Sequence, residues 1–213
     1  MEQKKISQSV LKRLPGYLAY LKSMPENSPP NISATALANA LGMGEVQVRK
    51  DLAMVSDGGR PKVGYLRESL IDDIEQFLGY DNTTDAVLIG AGKLGQALMA
   101  YSGNDEYGLN ILAAFDVKPG MEKTECGKPV YHISKLESFC RSHKVLMGII
   151  TVPADHAQEV ANRLIAGGIK AIWNFAPTYL DVPRNILVQN ENMATSLAVL
   201  SVHLQAQIKE EKK

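Results

Sequence analysis

Apolar residues recur at three- and four-residue spacing up to about residue 80 and afterwards gather into short unbroken runs, a change of period that divides the chain. Over residues 7–24, Val10, Leu11, Leu14, Leu18 and Leu21 fall on one side of a helix whose middle Pro15 and Gly16 weaken. Three prolines make residues 25–31 a loop. Ser33 is a good N-cap for a short helix over 34–41, which Gly42 ends. A second short helix runs from about residue 45 to 55, with Val46, Leu52 and Val55 as expected core contacts. The two flank Ala40-Leu41-Gly42-Met43-Gly44, a helix-turn-helix pattern. Residues 56–65 are turn-rich and basic and predict a wing, a small hairpin able to reach a groove. An amphipathic helix over 67–78 and a polar linker over 79–84 follow.

From there the pattern alternates. Strands are expected at 86–89, 111–115, 145–151, 169–173 and 186–189, with helices at 94–101 and 154–166, the latter closed by Gly167-Gly168. A last helix over 193–208 carries Leu197, Leu200, Leu204 and Ile208, and either packs on its own domain or crosses to a partner subunit. The fold class predicted is α/β: an N-terminal winged helix-turn-helix domain over 1–80, a Rossmann domain with a parallel sheet over 81–190, and a C-terminal helix over 191–213.

Chemistry concentrates at Gly90-Ala91-Gly92-Lys93-Leu94-Gly95, a G-x-G-x-x-G loop between a predicted strand and a predicted helix. The first glycine permits the tight turn, the second lets a pyrophosphate approach the backbone, and the third lets the helix close on the strand. Asp116 ends the next strand about twenty residues on, where a carboxylate accepts from an adenosine ribose and repels a 2′-phosphate. Ligands sit at the carboxyl ends of parallel strands, so Thr151, Val152, Pro153, Asn174, Phe175 and Ala176 are expected along the nicotinamide half of the crevice, and Val117 beside Asp116.

Charge sharpens the division. Lysine plus arginine and aspartate plus glutamate number 23 each, yet residues 1–67 hold ten basic and five acidic residues, so a basic first part precedes an acidic second. That balance points the first part at a polyanion. In a helix-turn-helix the second helix enters the DNA major groove, which makes Gln47, Arg49 and Lys50 candidates for bases and phosphates. Ser33, Arg60 and Lys62 complete the candidate DNA-facing set.

Other functions find less support. No apolar run approaches the ~20 residues of a membrane span, and the polar start is no secretory signal. Cys126 and Cys140 form no C-x-x-C pair, the expectation being reduced thiols of a cytoplasmic protein without a metal site. His132, His143, His156 and His203 show neither triad nor metal spacing, and about 130 residues after Thr84 suffice for one nucleotide-binding domain without a substrate domain. The expected protein binds NAD(H) without transforming a substrate; the alternatives are a small NAD-dependent oxidoreductase with a non-catalytic first domain, or a module for another nucleotide such as coenzyme A.

Taken in order, Arg13-Leu-Pro-Gly-Tyr-Leu-Ala-Tyr-Leu21, Gln47-Val-Arg-Lys-Asp-Leu52, Val63-Gly-Tyr65, Gly90-Ala-Gly-Lys-Leu-Gly95, Ala113-Ala-Phe-Asp-Val117, Gly148-Ile-Ile-Thr-Val-Pro153 and Asn174-Phe-Ala-Pro177 resemble the Rex family of redox-sensing transcriptional repressors over nearly the whole chain. The resemblance implies a homodimer that exchanges C-terminal helices, binds pseudo-palindromic operator DNA when NADH is scarce and leaves it when NADH accumulates, with NADH and NAD⁺ as regulatory ligands. It implies that Tyr101 lies near the nicotinamide, and that Arg49 and Lys50 are the basic pair of the recognition helix. It also implies that Arg13 pairs with an acidic residue near the exchanged helix to report the ligand to the DNA-binding domain. The chain departs from the family pattern in three places. Lys93 replaces an asparagine, the wing lacks the usual aromatic run, and Gln189-Asn-Glu-Asn192 stands where R-N-V-D is usual, so the partner of Arg13 would be Asn192 or Glu191.

Overall fold

A computed structural model describes residues 7–118 and 123–211. The chain divides into two compact units, residues 1–82 and 83–213. The first contains α1 (Gln8–Ser23), β1 (Asn31–Ile32), α2 (Ala34–Leu41), α3 (Glu45–Val55), β2 (Tyr65–Leu66) and α4 (Arg67–Leu78). Ser7 caps α1 through its hydroxyl, and the helix passes through Pro15 without a break. Its buried stripe is Val10, Leu14, Tyr17, Leu18 and Leu21. Leu11, expected inside, is 39% exposed.

The core of this unit joins the stripe of α1 to Leu37 and Ala38 of α2, Val48 and Leu52 of α3, and Leu70 and Ile74 of α4. Val46 is not in it. Val46, expected as a core contact, is 64% exposed, while Val48 is fully buried. Helix geometry explains the correction: at ~100° per residue, Val48, Leu52 and Val55 share a face that Val46 opposes. The proline-rich loop ends in a strand the sequence did not reveal, since β1 pairs antiparallel with β2 through Asn31–Leu66 and Ile32–Tyr65. Gly64, at φ +86°, lies against that strand so closely that an added Cβ would stand 2.3 Å from the Ile32 carbonyl oxygen.

The second unit contains β3 (Thr84–Ile89), α5 (Lys93–Ala100), α6 (Gly103–Glu106), β4 (Leu109–Asp116), β5 (Val130–His132) and a 3-10 turn (Ile133–Lys135). It continues with α7 (Leu136–Ser142), β6 (Met147–Ile150), α8 (Ala154–Ala166), β7 (Ala171–Asn174), β8 (Leu187–Asn190) and α9 (Met193–Glu211). The strands form one sheet in the order β5-β4-β3-β6-β7-β8, and every pairing is parallel. The strand order reverses between β3 and β6, which opens a crevice at their carboxyl ends, where this architecture holds ligands. One face of the sheet buries Val87, Ile89, Phe115 and Ile150 under α7 and α8. The other buries Ala86, Leu88, Ala114 and Ile149 beside Met99 of α5. Among the described residues no helix is long and apolar enough to cross a membrane.

Candidate nucleotide and DNA-binding sites

The nucleotide site is built where the ends of β3 and β6 meet. Gly90 turns out of β3 at φ +103°, and a Cβ there would lie 3.0 Å from the Thr151 backbone. The Thr151 amide donates to the Ile89 carbonyl at 2.9 Å. Its hydroxyl reaches the Gly90 and Ile89 carbonyls at 2.8 and 3.0 Å. The two strand ends are thereby pinned at the point where the sheet reverses. Gly95 brings α5 onto this turn: a Cβ at that position would stand 2.0 Å from the Gly90 oxygen. Gly92 is different. It precedes α5 with no side-chain cap, and a Cβ on it would meet no heavy atom within 4 Å. Free amides at a helix start, faced by open space, suit a phosphate.

Asp116 closes the loop from the neighbouring strand. Its Oδ2 accepts from the Ala91 amide at 2.8 Å and its Oδ1 from the Lys118 amide at 2.9 Å. A carboxylate has about four acceptor positions, so capacity remains for ribose hydroxyls. Lys93 is exposed, and Leu94 and Val117 are 40% and 67% exposed. Tyr101 is the C-terminal cap of α5. Its ring covers Gly103, where an added Cβ would be 2.5 Å away, so the glycine at 103 marks the ring's placement in the sequence.

Along the other strand ends the structure sorts the expected residues into two kinds. Thr151, Val152 and Phe175 are half-buried and Pro153 is exposed, whereas Asn174 and Ala176 are buried. Asn174 serves the chain itself. Its Nδ2 donates to the Thr178 carbonyl and to Asn190 Oδ1, each at 2.8 Å, and its Oδ1 accepts from the Ala176 amide at 3.0 Å. Asn174 thus fixes the turn after β7, as a buried amide must find its partners within the protein. Phe175 packs on Trp173 with ring centroids 4.7 Å apart.

In the first unit, α3 presents Arg49 and Lys50 to solvent. Arg49 forms an ion pair with Glu45 one turn earlier. Gln47 instead turns to Arg13, and with its amide oxygen facing the guanidinium it accepts at 2.9 Å. Arg13 donates to Asp51 through Nε at 2.7 Å and Nη2 at 2.9 Å, and the Tyr17 hydroxyl donates to the same carboxylate at 2.8 Å. Burial, followed by the bond to Asp51, pushes Tyr17 up to about 12. The bond to Asp51 likewise raises Arg13 above its ordinary value. The wing is a tight hairpin. Arg60 and Gly64 exchange both backbone hydrogen bonds at 2.9 Å, and Lys62 sits at the tip with φ 65°. Arg60 and Lys62 are exposed. The Ser33 hydroxyl accepts from the Ala36 amide at 3.0 Å, so it is committed to capping α2.

The residues expected to couple the units have other partners within their own. Arg13 is held by Asp51, a buried charge within reach on α3. Glu191 accepts from Trp173 Nε1 at 2.9 Å. Asn192 caps α9, accepting from the Ala194 and Thr195 amides at 3.0 and 3.3 Å.

This two-part geometry recurs in known proteins. Residues 5–53 match the family model described as the N-terminus of a putative DNA-binding protein, and residues 81–178 match the CoA binding domain. A redox-sensing transcriptional repressor Rex of Porphyromonas gingivalis is 42% identical over 197 residues, covering 92% of this chain and 90% of its own. A Clostridium perfringens protein of that name is 39% identical over 202 residues, covering 94% and 95%. The chain belongs to the Rex family. Among solved structures, RSP in complex with β-NAD⁺ and operator DNA is similar with a TM-score of 0.88 at 34% identity, covering 99% of this chain and 97% of that one. RSP in complex with β-NADH gives 0.87 at 33% identity, covering 99% and 100%. Rex membership joins the two units under one description: an N-terminal DNA-binding domain and a nucleotide-binding domain of parallel α/β type.

Proposed function

We propose that this chain is a transcriptional repressor that senses the NADH/NAD⁺ ratio, binding pseudo-palindromic operator DNA as a homodimer when NADH is low and releasing it when NADH binds. One observation carries the reading: a glycine loop closed by Asp116 at the reversal point of a parallel sheet belongs to the same chain as a winged helix presenting Arg49 and Lys50. The relatives' names and the RSP complexes with each nucleotide support it. The loop from Gly90 to Gly95 holds the pyrophosphate, Asp116 the adenosine ribose, and Thr151, Val152, Pro153 and Phe175 face the nicotinamide. These four carry no group that titrates near neutral pH, so the dinucleotide acts as a signal and not as a reagent. The protein works in the cytoplasm, where operators and NADH are found together.

The dimer is assigned to α9. Leu197, Val199, Leu200, Val202, Leu204 and Ile208 are 41% to 66% exposed in the single chain, and a helix that apolar on all sides requires cover. A homodimer places two recognition helices about one DNA turn apart, and NADH shifts the population to an orientation that no longer fits. A tenfold affinity difference between nucleotide states supplies only ~1.4 kcal/mol per site, so both sites act together.

Coenzyme A is a second reading favoured by the matched domain's description, but its phosphorylated ribose would meet the Asp116 carboxylate. Titration of operator-bound protein with NADH, NAD⁺, NADPH and coenzyme A tests the function by fluorescence anisotropy. NADH should displace DNA at the lowest concentration. Equal displacement by NADH and NAD⁺ removes redox sensing, and displacement by coenzyme A alone replaces the ligand.

A further inference from the structure

Val46, in the first turn of α3, is apolar yet unused by the core, as is Met54 in the last turn. Val46 is 64% exposed, while Val48 and Leu52 on the opposite side are fully buried. Its neighbours across the helix surface, three and four positions on, are the exposed Arg49 and Lys50. Val46 is thus framed by cations on the outward face, within the first turn of an eleven-residue helix. Valine has no local reason to be there, since on an exposed helix it stabilises less than lysine, glutamate or alanine. Its two γ-methyls are held by a stiff χ1, so they present a shaped apolar surface at little entropic cost.

The outward face of a recognition helix meets the major groove, and its N-terminal residues reach base edges. One apolar feature is displayed there among donors and acceptors: the C5-methyl of thymine. Arg49 and Lys50 supply the charge that draws this face to DNA, and Val46 is the apolar surface between them and the helix start. We propose that Val46 reads a thymine methyl group in each half-site of the operator, making it a specificity-determining residue of α3. The proposal rests on the DNA-binding reading above and deepens it by naming the base feature recognised.

The probe is the duplex that the full-length protein, free of nucleotide, selects from a random-sequence library. Each thymine of that duplex is replaced by deoxyuridine, symmetrically in both half-sites, which removes the methyl and nothing else. At one position the wild type should lose roughly fifteenfold in affinity, about fourfold for each methyl taken from apolar contact. Val46→Ala should bind the thymine duplex more weakly by a similar factor and be indifferent to deoxyuridine at that position, while binding NADH as the wild type does. Absence of any position at which deoxyuridine weakens the wild type overturns the proposal. So does a Val46→Ala penalty equal on thymine and deoxyuridine duplexes. Unchanged DNA affinity on reversing charge at Arg49 and Lys50 overturns the placement of α3 itself, and the proposal with it.

Discussion

Arg13 and Asp51, 38 residues apart in the chain, are joined through two donors of the guanidinium at 2.7 and 2.9 Å, and the pair ties α1 to α3. The Asp51 side chain is 4% exposed and that of Arg13 18%, so the contact lies largely out of water, where two-point geometry matters most. The Tyr17 hydroxyl occupies a further acceptor position on the carboxylate. The orientation of the helix that carries Arg49, Lys50 and Val46 therefore depends on a charged residue of another helix.

Asp51→Ala should lower the unfolding free energy by about 3 kcal/mol, because it leaves a buried phenol unpaired and takes the countercharge from a part-buried guanidinium. Arg13→Lys should cost about 1 kcal/mol, since an ammonium keeps the charge but not the paired donors. Urea unfolding of both variants checks the order, and a loss for Arg13→Lys equal to that for Asp51→Ala contradicts it.

Gly92 and Gly95 should separate binding from folding. An added methyl at Gly95 collides with the Gly90 carbonyl at 2.0 Å, whereas one at Gly92 meets nothing within 4 Å. Gly92→Ala should keep the wild-type melting temperature and lose at least ~10-fold in NADH affinity, as the methyl fills the phosphate's approach. Gly95→Ala should melt several degrees lower, with a penalty of roughly 1–3 kcal/mol for overpacking. Calorimetry and NADH fluorescence, read together, decide the matter.

Asp116 holds the loop and faces the ribose, so its removal should act on both. Asp116→Ala should weaken NADH binding while narrowing the preference for NADH over NADPH, since the carboxylate that repels a 2′-phosphate is gone. Competition titrations with the two nucleotides measure the ratio; an unchanged preference would move the ribose elsewhere.

Cys140 offers a pH signature. Burial, with Glu137 adding to it, pushes the thiol from an ordinary value near 9 up to about 11. The folded state thus holds this proton more tightly than the unfolded chain does. The associated stability is fully present below pH 9 and is lost as pH rises through 11, a contribution of roughly 2 kcal/mol. Melting temperatures from pH 8 to 11 should fall more steeply for wild type than for Cys140→Ala, and parallel profiles would refute the assignment.

If α9 is the dimer's seam, Leu200→Asp with Leu204→Asp should yield a monomer. Both leucines are more than half exposed in the single chain, so neither substitution should cost the fold of the subunit. Analytical ultracentrifugation would show the change, accompanied by loss of operator binding. A dimer of undiminished strength would place the interface on another surface.

The turn of the glycine loop was legible in the sequence because its signals are local and steric. Gly90 needs a positive φ, Gly95 a missing Cβ and Asp116 a strand end, and each of these requirements leaves one or very few acceptable amino acids at a given spacing. The caps at Ser33 and Gly42 and the alternation of strands with helices could be read for the same reason. The phase of α3 could not be read so directly. Val46 and Val48 are the same amino acid two positions apart, and their opposite fates follow from which face the other helices of the unit, α2 foremost, cover.

Partners distant in the chain were the larger gap. Nothing in the run Gln47 to Leu52 announces that Asp51 belongs to Arg13 and Tyr17, nor does the strand end announce that Asn174 would turn its amide to Thr178 and Asn190. A carboxylate or an amide accepts many partners, and the choice is made by which groups packing brings within three ångströms and away from water. The amino-acid order thus dictated two units, a glycine loop and a helix bearing a basic pair, because backbone sterics and periodicity act over a few residues. Which side chains of that helix face outward, and what holds it in place, was settled by the packing of segments tens of residues apart.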